Sequence, residues 1–332
     1  MSAAMVNTDV LDQYLEPLLP FLRDPDNTEV VVNKPNEVWT EGREGWKRHD
    51  VILPYSHCDD LATLIAGYNE DDISVEKPVL SAKLPTKERV QIVRPGACSE
   101  GTISFTIRKF SDLELSLHQL EAQGAFSEVK PARQGLEPFE IELKLLLSEG
   151  RYREFIELCV KTHRNIVIGG ATGSGKTVLN KALIQLIDKN ERIITIEDVH
   201  ELFMDDFPNK VHLFYKNKEG SNFTSRDALA SCVRMKPDRI LLAELRGPET
   251  LDYIESLNTG HPGSITSIHA NSAYDVFPRL ASLIKKSEAG LTLDPEFIQT
   301  MCVQTIDVIL FYKNRKLQEV YYEPERKYAL MG

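Results

Sequence analysis

The residues Gly170-Ala171-Thr172-Gly173-Ser174-Gly175-Lys176-Thr177 place glycines, a lysine and a hydroxyl at the spacing of a phosphate-binding loop. Glycines let the backbone turn tightly and expose several N–H groups, and a helix starting at the same point adds its positive end. A polyanion fits there. Lys176 would meet the β- and γ-phosphates as a point charge, and Thr177 would place its hydroxyl on the Mg²⁺ that bridges them. Candidate binding residues are therefore Gly170, Ala171, Thr172, Gly173, Ser174, Gly175, Lys176 and Thr177, with Val178 opening the helix. A glycine-rich turn without a ligand lacks the context seen here. The apolar run Asn165-Ile166-Val167-Ile168-Gly169 reads as a buried strand before the loop, and residues 178–184 read as a helix after it.

Further groups are expected around the phosphates. Glu197 and Asp198 follow the apolar strand Ile193-Ile194-Thr195-Ile196, and a carboxylate at the carboxyl end of a parallel strand lies where such sheets bind ligands. Glu197 is a candidate water-orienting base, against the alternative of an acidic loop or helix cap. Arg239-Ile240-Leu241-Leu242-Ala243 delivers Glu244 to the same edge, close to the Mg²⁺ directly or through water. His261, in Thr259-Gly260-His261-Pro262-Gly263, and His269, in Ile268-His269-Ala270-Asn271, flank a short strand and are expected near the same crevice. Each has the plainer alternative of a satisfied structural histidine.

The elements that must hold these groups alternate. Strands at 192–196, 211–215, 239–243 and 264–268 are separated by helices at 225–235 and 248–258, which implies a parallel sheet flanked by helices. Two helical patterns, 139–147 and 152–162, precede the loop. Helices at 273–285 and 295–304 and a hairpin at 308–322 close the chain. Upstream, a helical pattern over 10–22 is interrupted by Pro17 and Pro20. Short β-type runs at 29–32, 37–40, 79–84, 89–94 and 102–108, with a helix at 59–68, read as a small α+β domain with an antiparallel sheet. The expected division is an α+β domain over 1–110, a breaker-rich linker over 111–137, and an α/β domain over 138–332.

Composition sets the outer bounds. The chain has 332 residues, 42% hydrophobic and 27% charged, with a formal net charge of −11. That acidity argues against a broad surface for nucleic-acid backbone. The five cysteines form no C-x-x-C pair, which argues against a structural zinc site and a disulfide framework and suits a reducing cytosol. The first twenty residues carry Asp9, Asp12 and Glu16 and do not read as a signal peptide. No apolar run reaches the ~18 residues needed to cross a bilayer, so membrane association would be peripheral.

The motifs in combination closely resemble one family. Gly170 to Thr177, then Ile196-Glu197-Asp198, then Arg234-Met235-Lys236-Pro237-Asp238-Arg239 running into Glu244-Leu245-Arg246, then Thr259 to Gly263 running into His269-Ala270-Asn271, are similar to the secretion (traffic) ATPases, with their Walker A, Asp box, Walker B and His box in that order. The runs Glu88-Arg89-Val90-Gln91-Ile92-Val93 and Ile103-Ser104-Phe105-Thr106-Ile107-Arg108-Lys109 resemble the branch serving type IV secretion and conjugation. The resemblance covers about residues 25 to 325. It implies a homo-hexameric ring ATPase, with an amino-terminal α+β domain and a RecA-like domain holding ATP and Mg²⁺ between them. It implies that Arg89 and Arg108 reach the phosphates and that Arg279 lies near the subunit boundary. It also implies a place at the cytoplasmic face of the bacterial inner membrane, with other secretion ATPases, inner-membrane components and a transported protein or nucleoprotein as partners. Two departures are visible: Ala243 stands where glycine is usual, and Ser267 where threonine is common. Catalytic candidates are then Lys176, Glu197, Glu244, Arg108, Arg89 and His269, and His261 and Arg279 join the nucleotide-binding set.

Three other readings stay open on sequence. A type II secretion or pilus-retraction ATPase shares the motifs, although the four-cysteine insert common in type II assembly ATPases is missing here. A RecA-like DNA translocase is disfavoured by the acidity. A nucleotide-gated scaffold would bind ATP with little turnover.

Overall fold

Residues 8–110, 114–129, 135–216 and 221–330 are described by a computed structural model. Parts of the expected linker, 111–113 and 130–134, lie outside the described residues, as do residues 1–7 of the amino-terminal stretch. Two helices, α1 (Thr8–Leu15) and α2 (Leu19–Arg23), divide the pattern expected over 10–22. Pro20 sits in the first turn of α2, where its missing N–H breaks no helical bond.

The strands β1 (Glu29–Val32), β2 (Glu37–Gly42) and β3 (Gly45–Asp50) come next, followed by α3 (Tyr55–Tyr68) and by β4 (Val79–Lys83), β5 (Arg89–Val93) and β6 (Ser104–Arg108). They form one antiparallel sheet in the order β3-β2-β1-β6-β5-β4. Alternation decides its two faces. Val30, Val32, Val90, Ile92, Phe105 and Ile107 pack with Leu11, Leu15, Leu61 and Ile65 of the helices. The intervening Glu29, Gln91, Thr106 and Arg108 line a cleft of about 1510 Å³ on the other side. A short helix, α4 (Leu117–Ala122), follows and buries none of its residues.

The second half opens with α5 (Pro138–Ser148) and α6 (Tyr152–Lys161), then β7 (Ile166–Gly169) and α7 (Lys176–Ile184). Next are β8 (Ile193–Glu197), β9 (Lys210–Phe214), α8 (Ser225–Cys232), β10 (Arg239–Leu242), α9 (Glu249–Leu257) and β11 (Ile265–Ile268). The chain ends with α10 (Val276–Ile284), α11 (Glu288–Thr292), α12 (Pro295–Thr305), β12 (Val308–Lys313), β13 (Lys316–Tyr321) and α13 (Pro324–Ala329). The strands run β9-β8-β10 and β11-β7-β12-β13, with β10 and β11 linked by a parallel bridge between Leu245 and Ile268. Among the described residues, these strands pair parallel with one another except in the β12–β13 hairpin. Both faces are covered, as a parallel sheet requires. Ile194, Ile196, Ile240 and Leu242 pack with Leu229, Ile254, Leu280 and Val303 on one side. On the other, Ile166, Ile168, Ile193 and Leu241 pack with Leu146, Phe155 and Leu183.

The two sheets meet at the amino ends of β8 and β10, around a buried guanidinium. Arg192 is fully buried, and its side chain donates to Met235 O (2.9 Å), Asn33 Oδ1 (2.6 Å) and Asn209 Oδ1 (2.6 Å). Asp238 accepts from the Arg192 backbone N–H (2.6 Å) and from Trp46 Nε1 (3.1 Å), and Lys236 pairs with Glu41 at 3.0 Å. The Arg234-to-Arg239 run thus docks the amino-terminal sheet, at the end of the strands opposite the phosphate loop.

In the cleft Glu29 is 3% exposed, and its Oε2 has no hydrogen-bond partner among the described residues. Desolvation pushes its pKa up to about 7, against the opposing charge of Arg108. The folded state therefore holds a proton that the unfolded chain releases above the ordinary glutamate range, and stability falls as pH rises from about 4.5 through 7. A Glu29→Gln variant is expected to flatten that slope and to gain up to about 3 kcal/mol relative to wild type at pH 8. Urea denaturation at pH 5 and pH 8 checks this.

Candidate active site

β7 ends in the middle of the parallel sheet and releases the chain into the loop at its carboxyl end. A Cβ on Gly170 would lie 2.3 Å from Tyr312 O and 2.7 Å from Ser174 Oγ, so only glycine fits. Gly175 has φ +101° immediately before α7, a conformation that L side chains avoid. The Ser174 hydroxyl is buried without a hydrogen-bond partner among the described residues, as expected of a donor held for an absent acceptor. Thr177 and Val178 are exposed at the helix start.

Lys176 is 8% exposed and folds back over its own loop, donating to Gly170 O (2.9 Å) and Ala171 O (3.1 Å). Burial lowers its pKa, which Glu244 partly offsets. Its Nζ lies 3.4 Å from His269 Nδ1 and 3.9 Å from Glu244 Oε1, and His269 Nε2 lies 3.2 Å from the same Glu244 oxygen. A neutral imidazole protonated on Nε2 satisfies both neighbours, accepting from the ammonium and donating to the carboxylate. Arg246 Nε donates to Glu244 Oε2 at 2.5 Å, and its Nη1 pairs with Asp198. Glu249 fixes that turn by accepting from the N–H groups of Arg246 (2.9 Å) and Gly247 (2.7 Å). The two departures from the family pattern touch each other: Ser267 Oγ donates to Ala243 O at 3.0 Å, tying β11 to the strand that delivers Glu244.

The expectation that His261 and His269 lie near one crevice needs correction. His261 precedes β11 and His269 follows it, so the strand separates them, and His261 lines the cleft at the amino end. Arg89 and Arg108 line that same cleft and not the phosphate loop of their own chain. Glu197 is fully buried, with Oε2 accepting from the N–H groups of Glu201 (2.7 Å) and Leu202 (2.8 Å) and Oε1 from Thr195 Oγ1 (2.6 Å). Desolvation pushes its pKa up, but hydrogen bonding, from His212 first and then from Thr195, Leu202 and Glu201, holds it below the ordinary value, so in this arrangement its oxygens are engaged by the protein. Arg279 lies on α10, without a hydrogen bond to the loop among the described residues.

Sequence reasoning missed one neighbour. The β12–β13 turn leans on the loop through Arg315 N–H to Ser174 O (2.9 Å), and a Cβ on Gly175 would meet Tyr312 Cε1 at 3.1 Å and Arg315 Cγ at 3.4 Å. Lys313-Asn314-Arg315-Lys316 reads as a cationic turn, but nothing local says which loop it meets.

Residues 132–312 match the family model described as Type II/IV secretion system protein. The chain is 46% identical over 340 residues to the type IV secretion system protein VirB11 of Brucella abortus biovar 1, covering 99% of this chain and 94% of that one. It is 37% identical to the type IV secretion system protein PtlH of Bordetella pertussis, covering 92% and 91%. Among solved structures it is similar to the VirB11 ATPase from the Brucella suis type IV secretion system in complex with sulphate, with TM-score 0.91 and 46% identity over 96% of this chain and 99% of that one. With the phosphate cradle, Lys176 and Glu244 assembled at one point of a parallel sheet, the chain belongs to the type II/IV secretion ATPase family.

Proposed function

We propose that the protein is a Mg²⁺-dependent ATPase that powers a bacterial type IV secretion system as a homo-hexameric ring. The observation that carries this reading is the convergence of Lys176, Glu244 and His269 beside a loop whose Ser174 hydroxyl has no hydrogen-bond partner among the described residues. Thr177, and Glu244 directly or through water, would hold Mg²⁺, which supplies charge neutralisation between the β- and γ-phosphates. The loop amides and Ser174 would bind the phosphates, and Lys176 would exchange its two carbonyl contacts for phosphate oxygens. Glu244, poised by His269 and Arg246, would orient the attacking water for in-line displacement. Movement of Lys176 away from Glu244 then links nucleotide occupancy to the Arg246–Asp198 pair.

Arg108 has a side chain 74% exposed, and it and Arg89 serve the phosphates from the neighbouring subunit of the ring. Partners are other secretion ATPases, inner-membrane components and a transported protein or nucleoprotein, met at the cytoplasmic face of the inner membrane. No helix among the described residues is long and apolar enough to cross a membrane. The test mixes two inactive chains, Lys176→Ala and Arg108→Ala, in equal amounts under conditions that exchange subunits. Recovery of roughly a quarter of wild-type ATP hydrolysis is expected, because random mixing pairs an intact loop with an intact arginine at that share of boundaries. No recovery would place the arginine's action within its own chain or outside the reaction.

A further inference from the structure

Where β8 and β9 pair, three groups with metal-binding chemistry converge from the two strands and the loop after β8. We propose that Glu197, His200 and His212 form a site for a single borderline divalent transition-metal ion of the Zn²⁺ class. Glu197 closes β8, His200 follows three residues later, and His212 pairs in register with Thr195 on the neighbouring β9. Their ligand atoms all lie within 4.8 Å of one another.

The separations suit such an ion. Glu197 Oε1 lies 3.1 Å from His212 Nδ1 and 3.5 Å from His200 Nδ1. Tetrahedral zinc with bonds near 2.0–2.1 Å sets its donors about 3.3 Å apart. The His200 side chain is 38% exposed and can turn to shorten the remaining edge. On metal uptake His212 would exchange its hydrogen bond to Glu197 for a bond to the ion, so Oε1 loses a donor and gains the cation.

The surroundings already orient the ligands. Glu197 Oε2 is held by two backbone N–H groups, and Thr195 Oγ1 lies 2.6 Å from Oε1 and 2.8 Å from His212 Nδ1. Outer contacts of this kind fix a carboxylate and a ring for coordination. Phe203 and Phe214 pack edge-on to His200, at 4.5 and 5.2 Å between ring centroids, and Phe214 also stacks on His212. These rings wall the site on its apolar side, and solvent supplies a fourth ligand from the exposed side. Two imidazoles and one carboxylate favour zinc-like ions over Mg²⁺, which takes oxygen ligands. The cysteine spacing that argues against a thiolate site does not bear on these histidines.

Titration calorimetry of the full nucleotide-free chain with Zn²⁺, in excess Mg²⁺, tests the site. One equivalent per wild-type chain is expected, with affinity at least tenfold weaker in His200→Gln and in His212→Gln. His200 is at the surface, so its variant keeps the fold, and circular dichroism checks the His212 variant. Loading with Co²⁺ gives a second readout: a tetrahedral visible band in the wild type that is lost in His200→Gln. No uptake by the wild type, or unchanged affinity and band in both variants, overturns the proposal.

Discussion

Lys176→Ala is expected to lower steady-state ATP hydrolysis by about 10³-fold or more and to weaken nucleotide binding, because it removes the cation proposed to meet the transferred phosphoryl group. In the free enzyme that ammonium already sits at the mouth of the cradle, held by Gly170 O, Ala171 O and His269. Alanine would leave those acceptors without a donor as well as the phosphate without its partner. Glu244→Gln is the informative companion. It keeps the size and one acceptor oxygen, so the contact to Arg246 or to His269 is retained but not both. It also removes the charge proposed to orient water, so turnover is expected to fall by about 10²-fold or more while ATP still binds. Phosphate release measures the first quantity and calorimetry the second. Turnover close to wild type in both variants would remove the catalytic assignment. Loss of binding in Glu244→Gln would instead assign the carboxylate to holding the metal–nucleotide complex.

The second large effect is on stability. Arg192→Ala is expected to cost about 3–5 kcal/mol, because it deletes a buried charge and leaves hydrogen-bond acceptors of both sheets unsatisfied in the interior. The acceptors are Asn33 Oδ1 on one side and Met235 O on the other, while Asn209 Oδ1 keeps the hydrogen bond that it accepts from Asn33 Nδ2 (3.0 Å). Trp46, whose ring centroid lies 5.5 Å from the guanidinium and whose Nε1 binds Asp238, reports on the docking. Denaturant unfolding followed by tryptophan fluorescence is expected to show a lower midpoint, with the Trp46 change preceding global unfolding as the two sheets separate. An unchanged midpoint would show that the docking does not depend on this guanidinium.

Much of the fold follows from local pattern. Alternation in Arg89-Val90-Gln91-Ile92-Val93 and Ser104-Phe105-Thr106-Ile107-Arg108 gives both strands, and the apolar runs at 193–196 and 239–242 lie in strands buried on both faces. The short α11 and α13 escaped sequence reading because five or six residues carry little helical periodicity. Residue identity alone therefore determined the phosphate loop, the strand that delivers Glu244, and the α/β architecture around them. The loop and the strand depend on interactions within a few positions along the chain, and the architecture on the alternation of strand and helix patterns.

Only the tertiary structure decided which end of the parallel sheet each polar group occupies. His261 and His269 are close in sequence, but β11 carries them to opposite ends. Arg89 and Arg108 look toward a cleft that forms only when the amino-terminal sheet docks through Arg192. Glu197 is drawn into hydrogen bonds with His212 from the next strand, and Arg315 meets Ser174 across the β12–β13 turn. Direction along a strand and pairing between distant strands arise from the whole packed core, so no window of neighbouring residues encodes them.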